Sequence, residues 1–311
     1  MNSTSSATKT VLVTGPNGFI GQQLIHVLRE QLPDWNIKII SRKPVEEIDG
    51  FLEFERFFAG DFDTSFFGDI THVIHLAGLA HRFKNVDSRE LERVNVGFLQ
   101  KLLFNLNSKL LEKLIFMSSY SVTLLEQSIV MDTAQYAVTK QNAELLLKDW
   151  YQKTSKLFEV IILRPTMVYG RGAPGNFERL QKLLKIPIPL PFGNLDRRRS
   201  FIHVRNLSSA MLSLLKAPRQ AGIAVWELSD PWSETFIGFI QDLNKAIDGK
   251  AIIFKFPICL LRYGLSLLGK ADLFRKLTLS FHIDVGPFIK QFNWSNVVSF
   301  ESRFDDLEGA N

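Results

Sequence analysis

Several features of secreted, membrane-spanning and metal-binding proteins are missing from this sequence. A single cysteine, Cys259, among 311 residues excludes a disulfide within the chain. No apolar run is long enough to span a bilayer. Residues 1–10 are polar and lack an apolar core, so we expect a disordered tail rather than a signal peptide. These absences favour a reducing environment, and we expect the protein to be cytoplasmic.

Charge and histidine content exclude two further classes of site. The net charge is +5, and basic residues are spread along the chain apart from the triplet at 197–199, so we expect no nucleic-acid partner. The six histidines lack a metal-ligand spacing, so we expect no metal. His75 and His203 lie in apolar strands and are predicted to be core residues with their polar atoms satisfied. Cys259 lies in an apolar segment and is predicted to be unreactive.

A glycine-rich turn is the most informative stretch. Three apolar residues run into Thr14, and glycines follow at 15, 18 and 21 before a segment with helical apolar spacing. Gly15 allows a sharp reversal, Gly18 allows close approach of a pyrophosphate, and Gly21 allows the helix to pack on the strand. The helix N-terminus, beginning with Phe19 and Ile20, would then face phosphates with its free N–H groups. The pattern predicts dinucleotide binding; the alternative is a glycine loop without a ligand.

Strand-like and helix-like segments alternate as far as Pro165. Such alternation predicts an α/β fold with a Rossmann doubly wound parallel sheet. After Pro165 turn residues multiply, which indicates a smaller C-terminal substrate-binding lobe. We therefore divide the chain into a tail (1–10), a dinucleotide-binding Rossmann domain (11–165) and mainly a substrate-binding lobe (166–311). The predicted elements are strands at 36–40, 55–60, 70–78, 113–117, 158–164, 223–229 and 251–256, and helices at 88–106, 134–153, 176–185, 206–216, 234–247 and within 257–277.

One apolar segment, 257–268, allows more than one interpretation. It could lie on a membrane or on a partner, but we expect it to pack in the core. Asn95 interrupts the buried face of the 88–106 helix, and its amide is expected to bridge strands.

Cofactor preference is read from the residues after the second strand. Ser41, Arg42 and Lys43 stand where an acidic residue would hold a ribose hydroxyl, and an arginine there would pair with a 2′-phosphate. The turn favours NADP(H), although a solvated basic turn would also tolerate NAD(H). We expect Asp61 and Phe62 to lie at the adenine, with a helix N-cap as the alternative role for Asp61. The small residues Leu76, Ala77 and Gly78 would let the cofactor lie against the fourth strand.

Candidate catalytic residues lie on and before the 134–153 helix. Tyr136 and Lys140 are four residues apart and share a face, and Ser119 follows the fifth strand. An ammonium beside a tyrosine would lower the pKa of the phenol, which could then exchange a proton with a substrate hydroxyl or ketone. Ser119 could hold the substrate oxygen, and Lys140 could bond the nicotinamide ribose. The alternative is an ordinary surface Tyr/Lys pair.

Taken together, these motifs resemble the extended short-chain dehydrogenases/reductases of the NAD-dependent epimerase/dehydratase family. The chain is especially similar to UDP-glucose 4-epimerase-like enzymes and to UDP-N-acetylquinovosamine 4-reductases of O-antigen synthesis. The motifs that carry the resemblance are Thr-Gly-Pro-Asn-Gly-Phe-Ile-Gly (14–21), Ile-His-Leu-Ala-Gly (74–78), Ser118-Ser119, Tyr-Ala-Val-Thr-Lys (136–140), Leu-Arg-Pro-Thr-Met-Val-Tyr-Gly (163–170) and Arg-Ser-Phe-Ile-His-Val (199–204).

The resemblance implies roles for individual residues. Ser119, Tyr136 and Lys140 match the catalytic positions, while Arg199 and Asn176 match residues at the sugar-nucleotide diphosphate. The glycines at 15, 18 and 21 and Asp61 match cofactor positions. Two departures bear on activity. Tyr120-Ser121 replaces the acidic pair of sugar dehydratases, so dehydration is not expected, and Thr166 replaces an asparagine that touches the sugar in some epimerases.

The sequence therefore predicts an NAD(P)-dependent nucleotide-sugar oxidoreductase that acts at C4 of a UDP-sugar. A 4-keto reductase of bacterial O-antigen and lipopolysaccharide synthesis is favoured, with a 4-epimerase as the alternative. A non-catalytic NADP-binding regulator is the alternative from another class. The resemblance also implies a homodimer formed through the helices at 88–106 and 134–153.

Overall fold

The computed structural model describes residues 8–79, 87–129 and 134–307. Seven strands form one fully parallel sheet in the order β11-β6-β5-β4-β1-β2-β3, and short strand pairs lie outside it. The strands are β1 Thr10–Thr14, β2 Asn36–Ser41, β3 Gly50–Glu53, β4 His72–His75, β5 Lys113–Met117, β6 Glu159–Pro165, β7 Met167–Tyr169, β8 Pro189–Leu190, β9 Arg198–Arg199, β10 Phe201–His203, β11 Gly222–Leu228, β12 Glu234–Thr235 and β13 Ile252–Ile253.

Helices cover both faces of the sheet and form much of the remaining chain. They are α1 Phe19–Gln31, α2 Phe54–Ala59, α3 Ser88–Glu92, α4 Phe98–Asn105, α5 Tyr120–Glu126, α6 Ala134–Gln152, α7 Asn176–Leu184, α8 Val204–Lys216, α9 Phe236–Ala246, α10 Ile258–Leu267, α11 Ala271–Thr278 and α12 Gly286–Phe292. A π-helical turn, Arg93–Gly97, joins α3 to α4.

Successive side chains of a strand point to opposite faces of the sheet, and this alternation explains why the sheet has two cores. In β1, Val11 and Val13 face a cluster with α1, α8 and α12, whereas Leu12 faces the opposite cluster with α4, α6 and the phenylalanines of α2. Because both faces are covered, β1 is buried at every position. The order of the strands reverses between β1 and β4, so the loops after these two strands diverge and leave a crevice at their carboxyl ends.

The chain after Pro165 builds a third core and also returns to the sheet. Tyr169, Phe177 and Phe239 are central to this third core, which contains α7 and α9. Strand β11 pairs with β6 along its whole length, and α8 packs on α1. The sheet is therefore completed by residues that follow the predicted division at 165.

Two predicted elements differ from the structure. The strand predicted at 55–60 is wrong: β3 lies earlier, at Gly50–Glu53, and the phenylalanine-rich segment forms α2. Phe54 and Phe57 are buried, so an amphipathic helical turn was mistaken for a strand. The predicted helix at 88–106 has the right extent, but the π-helical turn interrupts it.

The segment 257–268 packs in the core along one face only, although we expected it to be a core segment. It contains the whole of α10, in which Leu261 is buried and Leu265 packs against the third core, whereas Cys259 is exposed. The spacing of apolar residues in a short segment does not show whether those residues face a core or point outward. Within the described residues, no helix is both long and apolar enough to cross a membrane.

Candidate active site

The glycine turn lies at the crevice between β1 and β4. Gly15 has a φ of 72°, and a Cβ on it would lie 2.9 Å from the backbone nitrogen of Ala77. A Cβ on Gly21 would lie 2.2 Å from the carbonyl oxygen of Gly15, so a side chain there would push α1 away from the turn. Gly18 is the N-cap residue of α1 and makes no side-chain cap. The N–H groups at Phe19 and Ile20 therefore begin a helix suited to phosphate oxygens.

Thr14 fixes the segment after β4. Its hydroxyl oxygen accepts a hydrogen bond of 3.2 Å from the N–H of Ala77 and lies 2.9 Å from Nδ1 of His75. His75 is buried and stacks on Phe116, and burial together with the Lys140 charge lowers the pKa of His75 to about 3. His75 is thus a neutral core residue, although its Nε2 has no hydrogen-bond partner within the described residues.

Asn95 joins this segment to α6. Its Oδ1 accepts a 2.8 Å hydrogen bond from the N–H of Leu79, and its amide nitrogen donates to the Leu79 carbonyl and to Oγ1 of Thr139. The π-helical turn contains this buried amide. Asn95 therefore bridges a strand-end loop and a helix, not two strands as predicted. A Cβ at Gly78 would lie 3.0 Å from Oδ1 of Asn95 and 3.1 Å from Nζ of Lys140.

Ser119 and Tyr136 meet at the carboxyl end of β5. Ser119 is the N-cap of α5, and its Oγ accepts a 3.2 Å hydrogen bond from the N–H of Ser121. The phenol of Tyr136 is hydrogen bonded to Ser119. Burial raises the pKa of Tyr136 to about 12, although the Ser119 hydrogen bond acts in the opposite direction. The predicted lowering of the Tyr136 pKa is therefore wrong for this structure, because desolvation dominates.

Lys140 lies one helical turn beyond Tyr136 and is buried. Its Nζ donates a 2.8 Å hydrogen bond to the carbonyl of Met117 and lies 5.0 Å from the ring centre of Phe116. Burial lowers the pKa of Lys140 to about 8, against the raising effect of the Glu144 charge. The ammonium is thus directed at the strand end that also leads into Ser119.

Arg199 approaches the same strand end from the C-terminal lobe. Its Nε donates a 2.7 Å hydrogen bond to the carbonyl of Leu279, and its guanidinium lies 4.2 Å from the ring centre of Phe236. Arg199 also pairs with Phe281, whose ring lies 4.8 Å from that of Tyr120, the neighbour of Ser119. Burial lowers the pKa of Arg199 to about 10, so the side chain remains a cation at neutral pH.

Comparison with known proteins identifies the family. The model of the NAD-dependent epimerase/dehydratase family matches residues 11–225. The chain belongs to this family.

Three relatives illustrate the similarity. UDP-glucose 4-epimerase of Vibrio cholerae is 28% identical, with 97% of this chain and 95% of the relative covered. An Escherichia coli O157:H7 epimerase, named N-acetyl-alpha-D-glucosaminyl-diphospho-ditrans,octacis-undecaprenol 4-epimerase, is 24% identical over 86% of this chain and 80% of its own. The crystal structure of UDP-glucuronic acid 4-epimerase from Bacillus cereus with NAD has a TM-score of 0.72 and 21% identity, and covers 96% of this chain and 97% of its own. The fold is thus that of extended short-chain dehydrogenases/reductases, and this family member is an enzyme.

Of the predicted adenosine-binding residues of this epimerase/dehydratase family member, Arg42 and Asp61 are exposed and Phe62 is half-buried. The Arg42 guanidinium lies 5.8 Å from the ring centre of Phe54. Asp61 is exposed and pairs with Arg56 at 3.1 Å, and it is not a helix N-cap, since Asp63 caps the 3₁₀ turn at 64–67. Phe62 packs on aromatic neighbours. The two predicted roles at the adenine remain predictions.

Sequence reasoning missed an ionic network beside Lys140 and Ser119. Glu144, one turn after Lys140, accepts a hydrogen bond from the hydroxyl of Ser118 and two from Arg164, at 2.9 and 2.7 Å. Arg164 also donates two 2.7 Å hydrogen bonds to Glu126. A glutamate four residues after the lysine, on the buried face of a predicted helix, was the available signal, because such a charge needs a partner.

Two further predicted residues flank the crevice. Asn176 is the first residue of α7 and is exposed. Thr166 follows β6 and is buried, and its Oγ1 has no hydrogen-bond partner within the part of the chain that the structure describes.

Proposed function

We propose that this protein is an NAD(P)-dependent enzyme acting at C4 of a UDP-sugar, with 4-epimerisation as its reaction. The observation that carries the proposal is the Ser119–Tyr136 hydrogen bond beside buried Lys140, at the strand ends that also hold the glycine turn. The name of the Vibrio cholerae relative, which covers nearly the whole chain, supports the same activity. The glycine turn suits a dinucleotide, which would be held at Gly15, Gly18 and Gly21.

Each catalytic residue has a defined task in this proposal. When bound, the nicotinamide cofactor supplies the acceptor and donor of a hydride at C4. Tyr136 takes the proton of the C4 hydroxyl as the alcohol becomes a ketone and returns it when the ketone is reduced on the other face. Ser119 donates a hydrogen bond to the C4 oxygen, and Lys140 would bond the nicotinamide ribose. Arg199 holds the diphosphate with a planar cation, and Asn176 supports it from α7.

A 4-keto reductase of O-antigen synthesis is the second candidate. Two observations favour it: Arg42 has the chemistry to pair with the 2′-phosphate of an exchangeable NADPH, and Thr166 stands where some epimerases hold the sugar with an asparagine. Burial also keeps Tyr136 protonated at neutral pH in this structure, which suits proton donation to a ketone. The solved Bacillus cereus enzyme, in contrast, is in complex with NAD.

One experiment separates the candidates. The purified protein is assayed for cofactor retained after gel filtration, and then supplied either with UDP-glucose or UDP-N-acetylglucosamine, or with UDP-4-keto-6-deoxy-N-acetylglucosamine and NADPH. Tightly retained NAD and formation of the C4 epimer without net cofactor consumption support the epimerase. Stoichiometric NADPH oxidation with the keto sugar would replace it with the reductase. Binding of cofactor without turnover of any of these sugars would overturn the assignment of these UDP-sugars as substrates.

Cofactor preference and assembly have separate tests. Arg42→Ala should weaken NADP(H) binding and spare NAD(H) if the guanidinium holds a 2′-phosphate; equal effects on both would remove that role.

We also propose a homodimer through the α3–α4 segment and α6, because Phe104, Val138 and Leu145 leave apolar side chains exposed there. Sedimentation velocity of Leu145→Glu against the unmodified protein tests this assembly.

A further inference from the structure

The C-terminal lobe carries an unusual concentration of exposed apolar side chains. Among the described residues, 18 large apolar side chains are exposed, and eight of them lie between Ile252 and Leu273. These eight are Ile252, Phe254, Ile258, Leu260, Tyr263, Leu267, Leu268 and Leu273. We call them, with the basic residues between them, the α10–α11 surface. A patch of this kind on a protein surface marks an interaction site.

Helix α10 has two apolar stripes. Leu261 and Leu265, four residues apart, pack on the third core. Leu260, Tyr263 and Leu267 follow the i, i+3, i+7 spacing of a second face, and their side chains are 54%, 65% and 70% exposed. Leu268, at the helix C-cap, extends this face. If α10 contacted only the core of its own chain, its second face would carry polar residues. The apolar residues on that face therefore require a partner.

The charge of this surface indicates what the partner is. Residues 250–278 contain six basic residues and a single acidic one, Asp272. Lys255, Arg262 and Lys270 are exposed between or beside the leucines. Leucine and tyrosine flanked by lysine and arginine are the composition of helices that lie in the interface of an anionic membrane. Protein–protein interfaces are enriched in tyrosine and arginine but depleted in lysine, so the exposed Lys255 and Lys270 are the residues that favour a membrane over a protein partner.

The α10–α11 surface is followed in the chain by residues that contact the candidate active site. Helix α11 ends at Thr278, and the next residue, Leu279, accepts the hydrogen bond of Arg199. Phe281 then packs on Tyr120 beside Ser119. The apolar helix pair and the residues around the diphosphate arginine thus belong to one stretch of chain.

We propose that the α10–α11 surface seats this enzyme on the surface of an anionic phospholipid bilayer. In this arrangement Leu260, Leu267 and Leu268 enter the boundary between headgroups and acyl chains. Lys255, Arg262 and Lys270 remain at the level of the phosphates. The protein lies on one face of the bilayer and does not span it. The proposal is independent of the sugar chemistry, because it concerns a surface that the catalytic residues do not use.

Vesicle sedimentation tests the proposal with the full-length protein. Vesicles of phosphatidylethanolamine with phosphatidylglycerol are compared with vesicles of phosphatidylcholine, at salt concentrations of about 0.1 M and about 0.5 M, which differ in Debye length. We expect binding to the anionic vesicles at the lower salt concentration, weaker binding at the higher one, and little binding to phosphatidylcholine. Failure to bind the anionic vesicles at the lower salt concentration would overturn the proposal.

A pair of matched triple variants assigns the binding to this surface. Leu260→Gln, Leu267→Gln and Leu268→Gln together should lower the partition coefficient at least about tenfold, because three apolar side chains no longer enter the bilayer. The control carries Leu110→Gln, Leu157→Gln and Val297→Gln, which are also exposed but lie elsewhere. Equal losses in the two triple variants would refute the assignment. Conversion of an oligomer to a monomer by the first triple variant, without vesicle binding by the parent, would show that a second copy covers the surface instead.

Discussion

Arg164 holds the carboxylate of Glu144 through two hydrogen bonds, and Glu144 lies one helical turn from Lys140. The negative charge of Glu144 opposes the effect of burial on Lys140, whose pKa nevertheless falls to about 8. The hydroxyl of Ser118, adjacent to Ser119, bonds the same carboxylate. The network therefore sets both the position and the protonation of the residues around Tyr136.

Removing the Glu144 charge should lower the pKa of Lys140 further. The ammonium is charged below its pKa and neutral above it, so Glu144→Gln moves the loss of charge to a lower pH than about 8. Reductive ¹³C-methylation followed by NMR titration measures this, with Lys140→Met assigning the signal. Glu126→Gln is the control, because Glu126 bonds Arg164 but is not among the groups that shift the Lys140 pKa. Equal shifts in the two variants would contradict this account.

The same network predicts a large effect on stability. Arg164→Met leaves the buried Glu144 carboxylate without its cation, so the free energy of unfolding should fall by about 3–5 kcal/mol. Urea denaturation followed by circular dichroism measures the change. The exposed pair of Arg93 and Glu90 provides the control, and Arg93→Met should cost at most about 1 kcal/mol. A loss for Arg164→Met no larger than that of the control would mean that Glu144 is not held as a charge.

Local pattern predicted most of the sheet and the proximity of Ser119 to Tyr136, for identifiable reasons. The strand of Val11–Val13 is apolar throughout because helices cover both faces of the sheet. The glycines that follow it at 15 and 21 are required because other backbone atoms lie close to them. Ser119 and Tyr136 were brought together because a strand end and the helix that follows it lie at the same edge of a parallel sheet.

Features that depend on tertiary partners were not predictable in this way. The segment at 55–60 has the apolar content of either a short strand or a helical turn, and packing of Phe57 against Phe98 decides for the helix. The pKa of Tyr136 depends on burial that the Tyr/Lys spacing does not report. The outward face of α10 has the same residue types as a buried one, so its exposure emerged only from the fold.

The glycine at position 21 should not tolerate alanine. A Cβ there would lie 2.2 Å from the carbonyl oxygen of Gly15, so α1 must shift away from the turn. We expect a loss of about 1–3 kcal/mol in stability and weaker binding of the dinucleotide, measured by thermal unfolding and by fluorescence titration with NADH. Gly264→Ala is the control, since nothing lies within 4 Å of its Cβ in α10, and it should stabilise by about 0.4–1 kcal/mol. A Gly21→Ala protein that binds NADH normally would remove the turn from the cofactor site.

Replacing the phenol of Tyr136 should separate binding from chemistry. Tyr136→Phe keeps the ring but cannot transfer a proton, so kcat should fall by about 10²- to 10⁴-fold while cofactor affinity is retained. Steady-state kinetics and NADH titration of the same preparation measure both quantities. Tyr263→Phe, on the exposed face of α10, is the control and should leave both unchanged. Turnover that survived in Tyr136→Phe would show that another group exchanges the proton.

Neighbouring arginines allow a test of the diphosphate assignment. Arg199→Met keeps an apolar stem for packing on Phe236 but removes the cation, whereas Arg197→Met alters an exposed member of the same triplet. A hydrogen bond to a charged group is worth about 1.5–3 kcal/mol, so KM for a UDP-sugar should rise about 10- to 150-fold in Arg199→Met. The control should change KM little. Since Arg199 also bonds the Leu279 carbonyl, thermal unfolding of both variants must accompany the kinetics. A KM that rises equally in both variants would indicate long-range attraction by the basic triplet, and an unchanged KM would place the diphosphate elsewhere.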